Sequence, residues 1–341
     1  MSLLGSLKSS VQVAGKGGRC SVSGVVATVF GATGFMGRYV VNRLGKVGSQ
    51  VVVPFRGDEH DYRHLRVAGD LGQIHFLPFQ LLDKDTVRRA VEHSNVVINL
   101  IGQDTDSRHF SLEDVHVTGA LNIAEAAKEA GVERLIHMSA LGADKTSNSR
   151  FLQSKALGEE AVASVFPSAT IIRPSHIFGY EDRFLNRFAG LRVLPCGQPL
   201  FDGGKAKKSP VYSLDVADGI AAAVGDPIAE GSVFEFVGPR EYTMKEIVTF
   251  INQITRKPNK TIHVPSMLAL PLTRFSDKLP VDPIISTEDI LRYTKDDEVT
   301  ADTLRLEHMD VKGTDMEAVA LGFLRRFRSP SQHDELLDYQ Q

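Results

Sequence analysis

Seven residues, Gly31-Ala-Thr-Gly34-Phe-Met-Gly37, stand between an unbroken apolar run, VVATVF (25–30), and a stretch with apolar residues at helical spacing, Met36 to Val47. A glycine triplet at a strand-to-helix turn marks a βαβ unit built to receive a pyrophosphate. Gly31 permits the tight turn, Gly34 lets the backbone approach the ligand, and Gly37 lets the helix pack closely on the strand. The phosphate charge then meets the free N–H groups and positive dipole at the helix start. Thr33, Phe35 and Met36 fill the same turn and join the candidate site.

The rest of the first two thirds continues the rhythm. SQVVVPF (49–55), IHFLPF (74–79), NVVINLIG (95–102), RLIHMSA (134–140) and ATIIRP (169–174) read as further strands. Between them lie helical patterns: one capped by Asp83 or Asp85 and running through Val87, Ala90 and Val91, one over 115–131, and one over about 152–165. Alternation of strand and helix, with strands apolar on both faces, predicts a doubly wound parallel α/β sheet. SVFEFVG (232–238) adds one more strand, and VYSLDVADGIAAAV (211–224) a strand edge leading into a helix. After about residue 240 short helices are punctuated by Pro258, Pro265, Pro271, Pro280 and Pro283. The division expected is therefore a basic N-terminal segment (1–24), a dinucleotide-binding domain (25–240) and a smaller, mainly helical C-terminal part (241–341).

Composition bounds the function classes. The 341 residues are 42% hydrophobic and 24% charged, enough for a sizeable core. Mean hydropathy is −0.10, and no run approaches the roughly 18 apolar residues of a membrane-spanning helix. A net charge of −3 argues against nucleic acid as a partner. The two cysteines, Cys20 and Cys196, exclude a disulfide framework and a thiolate zinc site. The first acidic residue is Asp58, and the Ser- and Gly-rich start carries only basic charge. That composition suits a mitochondrial presequence or its remains, and equally a flexible tail.

The residue that selects between nicotinamide cofactors lies about 20 positions beyond the glycines, at the end of the second strand. An NAD-binding chain places Asp or Glu there. Here the position holds Arg56, in Pro54-Phe55-Arg56-Gly57, and a guanidinium suits a 2′-phosphate through paired, charge-assisted hydrogen bonds. NADPH is therefore the cofactor expected, rather than NADH.

The glycine spacing, the NVVINLIG strand, Ser139 after strand five and Arg173-Pro174 at strand six resemble the extended, or atypical, short-chain dehydrogenase/reductases, which have the Rossmann architecture. The resemblance implies a Ser–Tyr–Lys set in which the Tyr exchanges a proton and the Lys holds the nicotinamide ribose. Ser139 and Lys155 match, but the tyrosine position is Phe151, and no tyrosine lies between Tyr62 and Tyr180. A phenyl ring exchanges no proton, so no catalytic residue is assigned. A narrower resemblance rests on GKGGRCSVSGVVATVFGATGFMGRYVVNRLG, HSNVVINLIG, EDRFLN and PVYSLDVADGI. These segments are similar to the NADPH-binding accessory subunit family of mitochondrial complex I, the NADH:ubiquinone oxidoreductase. Membership implies bound NADPH, other complex I subunits as partners, and a peripheral place on the matrix side of the inner membrane. Ile101, Ser139, Lys155 and Pro174 then complete a cofactor site with the glycine turn and Arg56. A free-standing reductase and an NADP(H)-sensing regulator are the alternatives.

Other signals carry two readings each. Asp83 accepts from an adenine amino group or caps its helix. His60 and His64 fit a metal pair or a solvated loop. Met267, Leu268, Leu270, Leu272 and Phe275, in the stretch 264–280, face lipid headgroups and neighbouring subunits or form a core helix. Arg325, Arg326 and Arg328 make a solvated basic face or meet acidic neighbours or anionic lipid.

Overall fold

The computed structural model describes residues 22–191, 197–256, 258, 260–277, 285–300 and 303–328. Both cysteines, Pro280, Pro283 and nearly all of the basic N-terminal segment lie outside the described residues.

Seven parallel strands form the principal sheet: β1 (Val26–Phe30), β2 (Gln50–Phe55), β3 (Ile74–Pro78), β4 (Val96–Asn99), β5 (Arg134–Met138), β6 (Thr170–Pro174) and β7 (Val233–Phe236). Their order across the sheet is β7-β6-β5-β4-β1-β2-β3. The winding direction reverses between β1 and β4, and the crevice at the carboxyl ends of those strands is where open α/β sheets bind ligands. The helices are α1 (Phe35–Lys46), α2 (Lys84–Val91), α3 (Gly119–Glu129), α4 (Arg150–Val165) and α5 (Ser213–Ala223). On α1, Val40, Val41 and Leu44 are buried, the face expected from their spacing. The core between sheet and helices joins Phe30, Val97 and Leu135 to Val87 and Val91 of α2 and Ile123 and Ala127 of α3. At the strand entrances Asn95 pins β1, its side-chain oxygen accepting from Val26 N at 2.9 Å.

The helix expected to run unbroken over 115–131 is divided. Residues Asp114–Thr118 form a wider π-helical turn before α3 begins at Gly119. Such turns recur at functional sites because they re-aim side chains.

The chain forms two compact units, interleaved in sequence. The first holds residues 1–174, 213–237 and 298–312, and the second 175–212, 238–297 and 313–341. A single boundary near 240 is not where the chain divides, because residues 211–212 pair with 177–178 in the second unit while Leu304 bridges to Phe234 beside β7 in the first.

The second unit holds short strand pairs as well as helices. Gln198–Phe201 runs parallel to Thr261–Val264, and Lys207–Lys208 antiparallel to Tyr242–Thr243. Its helices at Met244–Ile254 and Thr287–Thr294 begin with reciprocal caps, Thr243 with Glu246 and Ser286 with Asp289. Lys208 is buried, and its ammonium donates to Arg292 O (2.8 Å), Lys295 O (2.5 Å) and Asp297 Oδ1 (2.8 Å). The helix Ser266–Ser276 is not a core helix: Met267, Leu268, Leu272 and Phe275 are 69–81% exposed, and Ala269 is its one buried residue. Arg328, by contrast, is not on a solvated face. It is buried and donates to Ile254 O at 2.8 Å.

Candidate dinucleotide site

The three glycines of the first turn serve different ends. Gly31 has φ +77°, and a Cβ there would stand 3.0 Å from Leu100 C at the end of β4. A Cβ on Gly37 would stand 2.3 Å from Ala32 Cα, an impossible approach. The fold itself demands both glycines. Gly34 is different: its φ is −79°, it is exposed, and a Cβ would approach only Gly31 O, at 3.2 Å. The steric demand for glycine is therefore milder here than at Gly31 and Gly37. Gly34 is also the residue before α1, offers no side-chain cap, and no acidic side chain occupies the first helical turn. The leading N–H groups of α1 are therefore free to meet an anion. Met36 is buried beneath the turn, while Thr33 and Phe35 are half-buried at its surface, Phe35 edge-on to Tyr39.

The other expected residues all follow carboxyl ends of strands, apart from Asp83 and Lys155. Arg56 is exposed directly after β2, its guanidinium 5.2 Å from the centre of the Phe110 ring. Ile101 follows β4, where its N–H donates to Asn99 Oδ1 at 3.1 Å. Pro174 ends β6, and its carbonyl accepts from Leu141 N at 2.8 Å, drawing the segment after β5 to that strand. Asp83 caps α2, accepting from Asp85 N at 3.1 Å. His60 and His64 are exposed in two successive short turns.

Ser139 and Lys155 bring the strongest sign of a ligand. Ser139 is 4% exposed, and its Oγ has no hydrogen-bond partner among the described residues. A buried hydroxyl left unpaired costs about 1–3 kcal/mol unless something else pairs with it. Lys155, 5% exposed on α4, donates from Nζ to Met138 O at 3.1 Å, one residue before Ser139. Phe151, one helical turn earlier, is buried against Leu112 and Leu152, with Lys155 Nζ 5.9 Å from its ring centre.

Sequence reasoning missed the polar groups behind these residues. His116, carried inward by the π-helical turn, pairs Nδ1 with Ser154 Oγ at 2.8 Å and accepts at Nε2 from Gln103 N at 3.2 Å. Ser154 spends its own proton on Phe151 O, so His116 is the donor to it and carries its proton on Nδ1. His137 on β5 lies 3.2 Å from Asn99 Nδ2, and burial, with the Lys155 charge adding to it, pushes the imidazole from the usual 6.5 down to about 3. It is neutral in the fold. The only sequence signal for it was a histidine inside the otherwise apolar strand run RLIHM.

Residues 27–235 match the NAD dependent epimerase/dehydratase family. The chain is 48% identical over 315 residues to mouse NADH dehydrogenase [ubiquinone] 1 alpha subcomplex subunit 9, mitochondrial, covering 92% of this chain and 84% of that one. It is 40% identical to the protein of the same name from Arabidopsis thaliana, covering 92% and 81%. The chain belongs to the alpha subcomplex subunit 9 family. The 40 kDa subunit of the Neurospora crassa NADH-ubiquinone oxidoreductase is a further relative, 37% identical over 94% of this chain and 84% of its own. Among solved structures, the Escherichia coli NADPH-dependent quinone oxidoreductase QOR2, complexed with NADPH, superposes with a TM-score of 0.68 at 19% identity, over 87% of this chain and 99% of that one. That likeness speaks for the fold alone. As a member of the subunit 9 family, the chain carries the epimerase-type sheet with Phe151 buried one helical turn before Lys155.

Proposed function

We propose that this chain is a non-catalytic accessory subunit of mitochondrial complex I that holds NADPH as a structural ligand. One observation carries the reading: the buried hydroxyl of Ser139 has no partner among the described residues, and Phe151 rather than a tyrosine stands one helical turn before Lys155. Gly31, Thr33, Gly34, Phe35, Met36 and Gly37 receive the pyrophosphate at α1. Arg56 pairs with the 2′-phosphate, Asp83 lies toward the adenine, and Ile101, Ser139, Lys155 and Pro174 face the nicotinamide half. When bound, NADPH supplies a hydride donor, but the chain sets no proton donor at the tyrosine position to complete a reduction. Holding is what these residues do.

The complex I assignment is supported by relatives that cover most of the chain and bear its subunit names. No helix among the described residues is long and apolar enough to cross a membrane. The reading is of a peripheral subunit on the matrix side of the inner membrane, touching other subunits, with the exposed apolar helix Ser266–Ser276 available for headgroup or subunit contact. Native gel electrophoresis of detergent-solubilised inner membranes tests it. Co-migration with the very large NADH-oxidising species is expected, and migration of the whole population as a small free species would overturn it.

A further inference from the structure

Arg56 is exposed directly after β2, and a surface arginine loses rotamer entropy when it is ordered. Yet its guanidinium rests over the Phe110 ring. That ring is itself fixed. Phe110 packs against the core of the first unit, and its backbone is tied into a turn in which Ser107 N (2.9 Å) and Ser107 Oγ (3.1 Å) donate to Phe110 O. Phe110 N returns the bond to Ser107 Oγ at 3.1 Å. A further donor to the same carbonyl, Gln103 Nε2 at 3.0 Å, leads away from the turn. The backbone N–H of Gln103 meets His116 Nε2, and His116 is bonded through Ser154 to α4, which also carries Lys155. A second anchor is Asp106, which accepts from Leu112 N (2.8 Å) and from Arg150 Nη1 at the start of α4 (2.7 Å).

The segment 103–110 thus runs from the Lys155 end of the site to Arg56, held at each end by named bonds. Resting on the assignment of Arg56 to the 2′-phosphate, we propose that this segment is a brace that pre-orders Arg56, and that Phe110 is a positioning residue that determines the preference for NADPH over NADH. The ring supplies a flat, electron-rich platform that keeps the guanidinium extended at the strand end and leaves its N–H edge outward for phosphate oxygens. Preordering lowers the entropy lost on binding a phosphate. A nucleotide without the 2′-phosphate gains nothing from it.

Titration calorimetry on the full chain with NADPH and with NADH tests the brace. Phe110→Leu keeps apolar bulk and removes the π face. NADPH affinity is expected to fall about two- to fivefold, the worth of an exposed cation–π contact, with NADH affinity unchanged. Phe110→Tyr, which keeps the ring, should retain the parent ratio. Combined with Arg56→Ala, Phe110→Leu should cost nothing further, since the ring then has no guanidinium to hold. Gln103→Ala, which removes the Nε2 donor to Phe110 O and keeps the backbone bond to His116, should shift NADPH in the same direction and serves if the leucine variant does not fold. Equal losses for both nucleotides, no loss for NADPH, or losses that multiply in the double variant would overturn the brace while leaving Arg56 in place. An Arg56→Ala chain with undiminished NADPH affinity would instead remove the 2′-phosphate assignment, and the brace with it.

Discussion

Lys208 in the second unit and Ser139 in the first are both deeply buried polar residues, and their surroundings differ in kind. Lys208 has two carbonyls and a carboxylate around its ammonium, all from residues 292–297. Asp289, nearby in sequence, is bonded to Arg187 and Arg292 and closes the cap at Ser286. Asp182 likewise accepts from three backbone N–H groups, those of Gly179, Phe184 and Asn186, each at 2.9 Å. These are groups completed by the chain itself, and their work is to hold a unit of short, proline-interrupted elements together. The Ser139 hydroxyl is completed by nothing the described residues offer. An unpaired buried atom alone does not mark a seat, since Tyr242 OH in the second unit is unpaired too; Ser139 differs because it follows β5 one residue after the carbonyl that Lys155 Nζ meets.

The contrast is broken most severely at Lys208. Lys208→Met leaves Asp297 buried without its cation and should cost about 3–5 kcal/mol in urea unfolding. NADPH affinity should stay within about twofold if the lysine is purely architectural; a selective loss of nucleotide binding with unchanged stability would reverse the assignment.

Gly34→Val is the matching change in the first unit. The apo chain should lose about 1 kcal/mol or less from a poorer residue before the helix. The stabilisation by nucleotide, about 2.7 kcal/mol at a hundredfold excess over Kd, should vanish. Differential scanning calorimetry with and without NADPH separates the two. Peptide-level hydrogen exchange should then show 31–37 and 134–156 loosening together. A valine chain that still shifts its melting point with NADPH would mean that the ligand does not approach the turn at Gly34.

Arg56→Glu sets a carboxylate against the phosphate that Arg56 is assigned to meet. Loss of a charge-assisted pair, about 1.5–3 kcal/mol, corresponds to roughly ten- to a hundredfold weaker NADPH binding in calorimetry. NADH affinity should rise little, since nothing else is shaped for a free ribose hydroxyl.

Acid separates the units more gently. His137 is neutral in the fold and protonates at about 3, against the usual 6.5 once unfolded. Below pH 6.5 the unfolded chain therefore binds the extra proton, and the first unit should lose about 1.4 kcal/mol per pH unit through this group as pH falls. Asp182 has the opposite sign: burial, outweighing its N–H donors, raises it from 3.8 to about 6, so its carboxylate favours unfolding above pH 6 and its strain is relieved as pH falls. Urea titrations at pH 7, 6 and 5 should show a slope that His137→Gln flattens. An unchanged slope in that variant would place the acid sensitivity elsewhere.

The first unit was legible in sequence because its information is local and periodic. Apolar strand runs, the helical face of Val40, Val41 and Leu44, and the glycine turn each declare themselves within a dozen residues, and Gly31 and Gly37 prove to be demanded by the fold for steric reasons visible only at the turn. Ser139 and Lys155 entered the candidate site through their resemblance to a known set, and the structure places them beside one another through Met138 O. What stayed hidden depends on meetings across the chain. His116 enters the site because a π-helical turn rotates it inward, and apolar periodicity over 115–131 does not distinguish that turn from a plain helix. Gln103 and Phe110 matter through a loop closure that no pattern announces. In the second unit Lys208 meets Asp297 from 89 residues away, and Arg328 turns inward to Ile254 O rather than to solvent. Residues 213–237 and 298–312 return to the first unit after an excursion, which no composition shift at 240 reveals.

Holding NADPH without the means to complete its chemistry is the central claim, and nucleotide released from the chain purified with its native assembly tests it most directly. Mass spectrometry of the acid-stable and base-stable extracts, quantified against the chain, should find one NADP(H) per chain, predominantly reduced, and unchanged after incubation with the respiratory substrates NADH and ubiquinone. A nucleotide-free chain, a chain carrying NAD(H), or NADPH converted stoichiometrically to NADP⁺ during that incubation would contradict it.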